Sequence, residues 1–348
     1  VYKRQTVIGP AFTCPVVHEA MVRSGGSIRL IDADKDGFGM RPEELRAARQ
    51  GDHALVLSEP FGHTFDLSRL NDMTASSPRV RIVDSAMALP HRPLFGRLRG
   101  NDFMVISLGK GKNMYSGWGG IGFTGDRALA QEIRDIRDGW LARSDYSLAL
   151  RRALHMNVRV AAHYPSVYPM TRRLSRHIRS IRTKRPHPPA SLPASAESTP
   201  APEFPAAWLD DRTCGSEWYL PSTYIDRRLA LWNLEMMAAA DARQRQLVRR
   251  YHDNLASVSK LIRPPISSFA LSHYTVRVKA EIRDEVVDQL SRSGTYTALL
   301  WLPQPYVSRE KYPQAFLLSS EVINLPVSPW MDTRQVDGIC KLLEHCLG

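Results

Sequence analysis

The sequence is poor in cysteine and has no long apolar run. No stretch approaches the ~18 uninterrupted apolar residues of a membrane-spanning helix, and no signal-peptide pattern is present. The few cysteines are too irregularly spaced for a disulfide framework or a zinc-binding CxxC pair, so we expect free thiols, a cytoplasmic location and no metal site. The four cysteines among 348 residues are Cys14, Cys214, Cys340 and Cys346. An apolar content of 43% is sufficient for a globular core.

Acidic residues are absent from one stretch, residues 146–196, which also holds ten lysines and arginines. These ten account for all but two of the twelve net positive charges, so the pI near 9.7 reflects one segment of an otherwise nearly neutral chain. The segment lacks aromatic residues interleaved for base stacking. We therefore expect no nucleic-acid partner.

The acid-free stretch has two parts. Residues 148–181 mix apolar residues and arginines at helical spacing, and residues 184–205 are rich in proline, alanine and serine, which predicts a flexible linker. We favour a solvated basic helix pair followed by a loop. The alternative is a surface that makes weak contact with an anionic membrane.

The first five residues, VYKRQ, match the in-frame translation of a common sequencing-transposon adapter. The chain also begins without methionine. We therefore expect the native protein to start upstream, with some N-terminal elements absent from this sequence.

Strands alternate with helices in residues 6–145, which predicts an α/β domain with a mostly parallel sheet. We expect an insert over residues 146–222. Residues 223–348 then predict a bridging helix over 223–255 and a small α+β domain at the C-terminus.

Two segments carry residues suited to chemistry. Asp84 follows the predicted strand 80–83, and the carboxyl end of a strand is where α/β folds place ligand groups, although a turn residue is the alternative. About twenty residues later a strand runs into a glycine-rich loop with Ser107, Lys110 and Lys112. A partly desolvated lysine in such a loop can form a Schiff base, and the alternative is an exposed loop lysine.

The glycines of residues 117–122 formally match GxGxxG. A dinucleotide-binding motif should join a strand directly to a helix. Here the glycines lead into a predicted strand instead, so we reject that function and expect a tight turn beside the lysine loop.

Residues 107–113 match Ser-(x)4-Lys-Asn, and the spacing of Asp84, Ser107 and Lys112 is the most specific pattern in the chain. Weaker matches lie in residues 7–37, in SEPFGHTFDL (58–67), in IVDSAMA (82–88) and in NLPVSPW (324–330). This order of motifs resembles the DegT/DnrJ/EryC1/StrS family of pyridoxal-phosphate sugar aminotransferases. The resemblance implies the aspartate-aminotransferase fold (fold type I), with a large and a small domain.

The resemblance also implies roles for individual residues. Lys112 would form the Schiff base with pyridoxal phosphate and carry protons between substrate atoms. Asp84 would pair with the pyridinium nitrogen and keep it protonated. Ser107 would donate to the cofactor phosphate, and Lys110, two residues short of the family spacing, is the rival lysine.

Other positions depart from the family pattern. Met87 stands where the family often has glutamine or histidine against the cofactor hydroxyl, and Cys14 aligns with the aromatic residue that often stacks on the ring. The asparagine that a partner subunit supplies aligns poorly, near Tyr219. The phosphate-binding turn of the family should precede residue 6. The loop after Trp301 is expected near the active site by family position.

Two functions remain open on the sequence alone. The first is transfer of an amino group from an amino acid such as glutamate to a nucleotide-linked keto sugar, in polysaccharide or glycosylated-metabolite biosynthesis, by a homodimer with the active site between subunits. The second is a catalytically inactive relative that acts as a binding or scaffold protein, which Met87, Cys14 and the insert favour.

Overall fold

The computed structural model describes residues 6–47, 53–64, 80–88, 96, 98, 100, 102–109, 112–113, 115–140, 146–162, 222–265, 270–295, 297, 301, 304 and 306–348. The rival lysine Lys110, Tyr219, the five N-terminal residues and the Pro-rich part of the predicted insert lie outside the described residues. No helix in these described ranges is long and apolar enough to cross a membrane.

A six-stranded sheet forms the large domain, in the order β2-β1-β3-β4-β5-β6. All neighbouring pairs are parallel except β5 and β6, so the prediction of a mostly parallel α/β sheet is confirmed. Apolar side chains of the inner strands are buried because helices cover a parallel sheet. The strands are β1 Thr6–Pro10, β2 Ser27–Ile31, β3 His53–Ser58, β4 Val80–Asp84, β5 Asp102–Ser107 and β6 Gly120–Phe123.

The C-terminal part contains a second sheet of two antiparallel strands, β7 His273–Arg277 and β8 Val322–Pro326. Helices pack on these strands and bury a separate apolar core around Tyr251, Tyr274 and Leu343. The described helices are α1 Pro15–Arg23, α2 Pro42–Ala47, α3 Arg127–Trp140, α4 Tyr146–Ala162, α5 Tyr224–Glu235, α6 Met237–Asn254, α7 Ala280–Arg292, α8 Pro313–Glu321 and α9 Thr333–Leu347.

The single bridging helix predicted over residues 223–255 is wrong in one respect, because it is two helices. α5 ends at Glu235 and α6 begins at Met237, and between them the Met236 N–H donates to Trp232 O and Leu234 O. A break of one residue does not disturb the spacing of apolar residues, so the pattern could not show it.

The interpretation of the basic segment as a solvated helix holds for most described side chains of α4 and is wrong for Arg152. Arg152 is only 5% exposed, its guanidinium donates to Asp226 Oδ2 at 2.9 Å, and it lies over the Trp118 ring at 5.1 Å. Asp226 also accepts from the Thr223 N–H, in a capping box that starts α5. The partner of Arg152 is 74 residues away, so the local absence of acidic residues was misleading.

Asp32, at the end of β2, joins the large sheet to α8. Its Oδ1 accepts from the backbone N–H groups of Ala33 and Ala315, at 2.9 and 2.8 Å, and its Oδ2 accepts from Gln314 N–H and the Arg41 guanidinium. Asp32 therefore satisfies the free N–H groups at the start of α8 from a distant part of the chain. α8 was not predicted, because its cap is not local in sequence.

Candidate active site

A cavity of about 420 Å³ lies between α1 and one face of the large sheet, where β3, β4 and β5 end. It is lined by apolar side chains from β1, β3, β4 and β5, together with a few polar groups. The structure brings all five predicted site residues into its wall: Cys14, Asp84, Met87, Ser107 and Lys112. Parallel strands present their carboxyl ends at the same edge, which is why residues far apart in sequence meet here.

Asp84 is held at the end of β4 by neighbouring donors. Its Oδ1 accepts from the Ala86 N–H at 3.1 Å, and its Oδ2 accepts from the Ser58 hydroxyl at 3.2 Å. Ser58 in turn contacts the buried Thr13 hydroxyl at 2.7 Å. Burial raises the pKa of Asp84, although the Ala86 N–H, the Lys112 charge and Ser58 oppose the shift. The carboxylate therefore lacks full compensation and is suited to a cationic ligand atom.

Lys112 lies on the loop between β5 and β6. The loop begins with Ser107, whose Oγ accepts from the Gly109 N–H at 3.2 Å, and the Lys112 N–H donates to Gly109 O at 3.3 Å. The return to β6 passes through Gly119, whose φ of 99° favours glycine. The glycines of residues 117–122 lead into a strand, β6, and not into a helix. This agrees with the rejection of a dinucleotide-binding motif. The loop thus turns Lys112 toward the ends of β4 and β5.

The opposite wall of the cavity carries Cys14 and Trp301. Burial raises the pKa of the Cys14 thiol, so the thiol is held neutral. The Trp301 ring stacks on Phe61, with centroids 4.5 Å apart, and meets Phe12 edge-on at 5.3 Å. Both Phe61 and Trp301 have positive φ, near 60°, and this aromatic packing holds that strained backbone in place.

A second cavity, of about 700 Å³, shares Lys112 with the first. It lies between the lysine loop, the helices α5 and α6 and the residues after β8, and its wall includes Trp232, Arg243, His273 and Trp330. Burial lowers the pKa of His273 to about 4, with a smaller contribution from the Lys112 charge, so His273 is neutral at physiological pH. Lys112 therefore borders two spaces of ligand size.

Sequence reasoning missed Glu59 as a member of the cavity wall. Glu59 is 2% exposed, and its Oε2 accepts from the Ser85 hydroxyl at 2.5 Å, next to Asp84. It directly follows β3, at the same edge of the sheet where Asp84 ends β4. The rule that singled out Asp84 could therefore have found it.

The cavity residues fit pyridoxal phosphate, the cofactor that the resemblance implies, at its two chemically essential points. Asp84 offers an incompletely compensated carboxylate for a protonated ring nitrogen, and Lys112 offers an amine for the aldehyde carbon. Ser107 supplies a hydroxyl for the phosphate, and the apolar walls suit a flat ring. Met87 contributes only a thioether, which donates no hydrogen bond to the ring hydroxyl.

His18 of α1 connects this helix to the end of β1 and to Tyr306, in the segment that follows Trp301. Its Nε2 donates to Pro10 O at 2.8 Å, and its Nδ1 therefore accepts from the Tyr306 hydroxyl at 2.7 Å. Burial lowers the pKa of His18 to about 4, from an ordinary 6.5. The fold therefore requires the neutral ring, because a protonated ring could no longer accept from Tyr306.

We predict that His18 makes the protein acid-sensitive. Because the folded pKa lies below the unfolded one, its contribution is complete above about pH 6.5 and is lost as the pH falls toward 4. The loss is about 3 kcal/mol of unfolding free energy. The His18→Gln variant keeps a donor and an acceptor but does not titrate. In urea unfolding between pH 7 and 4 it should lose about 3 kcal/mol less than the wild type does.

The exposed His345, on α9, provides the matched control. The His345→Gln variant should reproduce the wild-type pH dependence. If His18→Gln does so as well, the buried ring is not the source of the acid sensitivity.

Comparison with known proteins gives a consistent result. The model of the DegT/DnrJ/EryC1/StrS aminotransferase family matches residues 1–162 and 226–344. The matched ranges contain every residue of the cavity described above. Comparison with proteins of curated function gives no match.

Several solved structures share the fold. CalS13, a sugar aminotransferase from Micromonospora echinospora, superposes with a TM-score of 0.67 at 18% identity, over 99% of this chain and 81% of that chain. A DegT/DnrJ/EryC1/StrS aminotransferase from Brucella abortus gives 0.67 at 17%, over 99% and 80%. Spr1654 from Streptococcus pneumoniae, assigned as a sugar aminotransferase and solved in its PMP form, gives 0.67 at 19%, over 99% and 82%.

Proposed function

The chain belongs to the DegT/DnrJ/EryC1/StrS aminotransferase family, and we propose that it transfers an amino group from glutamate to a nucleotide-linked keto sugar. As a member of this family it is an aminotransferase that uses pyridoxal phosphate. The family match favours catalysis over the alternative of a non-catalytic binding protein. The observation that carries the proposal is the convergence of Lys112, Asp84 and Ser107 in one cavity.

Each of these side chains has a distinct task in the proposed reaction. When bound, pyridoxal phosphate supplies an electron sink for the carbon that gains or loses the amino group. Asp84 stabilises the proton on the ring nitrogen, and Ser107 donates to the phosphate. Lys112 holds the cofactor between turnovers and moves the proton between the two carbons that exchange it, as general base and then general acid.

The two cavities that meet at Lys112 support a ping-pong reaction in which donor and acceptor are bound in turn. The smaller one contains the groups for the cofactor, and the larger one offers aromatic and polar groups for a bulky acceptor. We assign such an activity to polysaccharide or glycosylated-metabolite biosynthesis.

We also propose that residues 146–222 form an insert between the large and the small domain of the chain. The protein is further proposed to be a homodimer. One face of α4 carries four apolar side chains at a spacing of four residues, and each is more than half exposed. They are Tyr146, Leu150, Leu154 and Val158. A second copy would remove this stripe from water. Sedimentation equilibrium would reveal the dimer, and a monomer at all concentrations would contradict it.

The test of the proposed function separates the two half-reactions. Protein loaded with pyridoxal phosphate is mixed with glutamate, and the visible absorbance of the bound cofactor is followed. We expect the band to be lost with glutamate and to return on addition of a nucleotide-linked keto sugar. A band that survives glutamate would contradict glutamate as the amino donor, and a band that returns only with an unlinked keto sugar would contradict the acceptor class.

A further inference from the structure

Amide side chains hold the loop that carries Lys112 on both sides. The Asn113 Nδ2 donates to Met87 O at 3.1 Å, and the Asn113 Oδ1 accepts from the Gln244 Nε2 at 2.9 Å. The Asn233 Nδ2 donates at 2.9 Å to the carbonyl oxygen of Tyr115, which lies two residues after Asn113 in the same loop. These hydrogen bonds connect the loop on one side to the turn that follows Asp84 and on the other side to the two bridging helices, α5 and α6.

Gln244 is a buried polar residue, and only the hydrogen bonds that its side chain donates explain its presence at this position. Its side chain is 1% exposed, and among the described residues its Oε1 finds no hydrogen-bond partner. Burying an unpaired amide oxygen is unfavourable, and an apolar side chain of the same size would avoid that cost. What Gln244 supplies is its Nε2, which reaches Asn113 Oδ1 and, at 3.5 Å, Val327 O.

We propose that Gln244 is a positioning residue that acts through Asn113 to fix the reach of the Lys112 amine relative to the Asp84 carboxylate. The proposal rests on the proposed function, in which Lys112 holds the cofactor. Asn113 uses both ends of its amide, one on Met87 and one on Gln244. If Gln244 offered an acceptor instead of a donor, Asn113 could satisfy that contact only by turning its amide and releasing Met87.

The same contacts couple the small domain to the lysine. Val327 directly follows β8, and Gln244 lies in α6, which packs on α9. A displacement of α6 would therefore move Asn113 and, with it, the adjacent Lys112. Asp84 and Met87 would stay with the large sheet, so the separation of amine and carboxylate would change.

The experiment compares Gln244→Glu and Gln244→Met with Gln131→Glu and Gln131→Met, since Gln131 is an exposed glutamine on α3. Full-length protein is loaded with pyridoxal phosphate, and the rate at which borohydride fixes the cofactor to Lys112 is measured across pH. We expect the Gln244 variants to be trapped about tenfold more slowly, with a shifted pH midpoint of the visible band. Their kcat should fall about tenfold while KM for glutamate is unchanged. The Gln131 variants should match the wild type.

A structural role alone would give a different result. The Gln244 variants would then unfold at lower temperature without cofactor, yet the folded protein would show wild-type trapping and a wild-type pH midpoint, and the proposal would be overturned. Asn113→Asp is a second route to the same contact, because it removes the donor to Met87, and it should reproduce the slow trapping. Absence of a band in the wild type would refute the proposed function and this inference together, whereas a normal band with unaffected variants refutes only the inference.

Discussion

Replacement of Lys112 by alanine is expected to lower amino transfer by about 10⁴-fold. Lys112 combines two tasks, covalent attachment of the cofactor and proton transfer, and positioned proton transfer alone contributes about 10²–10⁴-fold. Lys112→Arg should be almost as inactive, because a guanidinium keeps the charge but neither attaches to the cofactor nor gives up a proton near neutral pH. The measurement is kcat for the complete reaction, together with borohydride trapping of the cofactor.

Two controls accompany this prediction. Lys341, exposed on α9, can be changed to alanine with no effect on kcat. Lys110→Ala tests the rival lysine of the same loop and should retain activity. If Lys110→Ala is inactive and Lys112→Ala is active and trapped normally, the assignment of the two lysines is reversed.

The Asp84→Asn variant is expected to lower kcat by about 10³-fold and, without cofactor, to leave the protein at least as stable as the wild type. The first effect follows because a neutral amide no longer stabilises charge on the ring nitrogen, and a single electrostatic contact of this kind contributes about 10²–10³-fold or more. The second follows from the raised pKa of Asp84 in the folded protein.

The sign of the stability effect depends on the direction of that pKa shift. The folded carboxyl has a pKa above its ordinary 3.8, so the folded state binds its proton more tightly than the unfolded state does. Stability is lost as the pH rises from 3.8 through the folded pKa, and at pH 7 the charged carboxylate destabilises the cofactor-free fold. Asparagine carries no charge and removes that cost.

Thermal unfolding of the cofactor-free protein and kcat of the loaded protein, measured on the same preparations, check both halves of the Asp84 prediction. Asp36→Asn, at an exposed position, should change neither quantity. A variant at Asp84 that loses stability along with activity would indicate that the carboxylate serves the fold. Wild-type kcat would remove Asp84 from the reaction.

The parts of the fold that could be predicted have local signals. β2 and β3 were predicted with their observed bounds, and α9 begins and ends where the sequence indicated, because Asp332 caps its start and Gly348 follows its end. α8 could not be predicted because the side chain that caps it, Asp32, lies more than 280 residues earlier in the chain.

The residues of the site also divide into those that have a local signal in the sequence and those that do not. Asp84, Ser107 and Lys112 could be named because strand ends and a glycine-rich loop are visible in one stretch of sequence. Gln244 could not, because its contact with Asn113 spans 131 residues and depends on how α6 packs. Arg152 illustrates the opposite error, since a charge assigned to solvent from its neighbours in sequence is buried against Asp226.

The order of strands in the large sheet also determines how the protein acquires its chemistry. β1 lies between β2 and β3, and Asp84 of β4 pairs in register with Ser58 of β3 and Val105 of β5. Parallel strands are joined by long crossover connections. The entropy cost of closing such a connection comes before the strand contacts form, so parallel sheets form slowly. Asp84 and Lys112 reach the same cavity only once β4 and β5 have paired, so the site cannot form before this part of the sheet does.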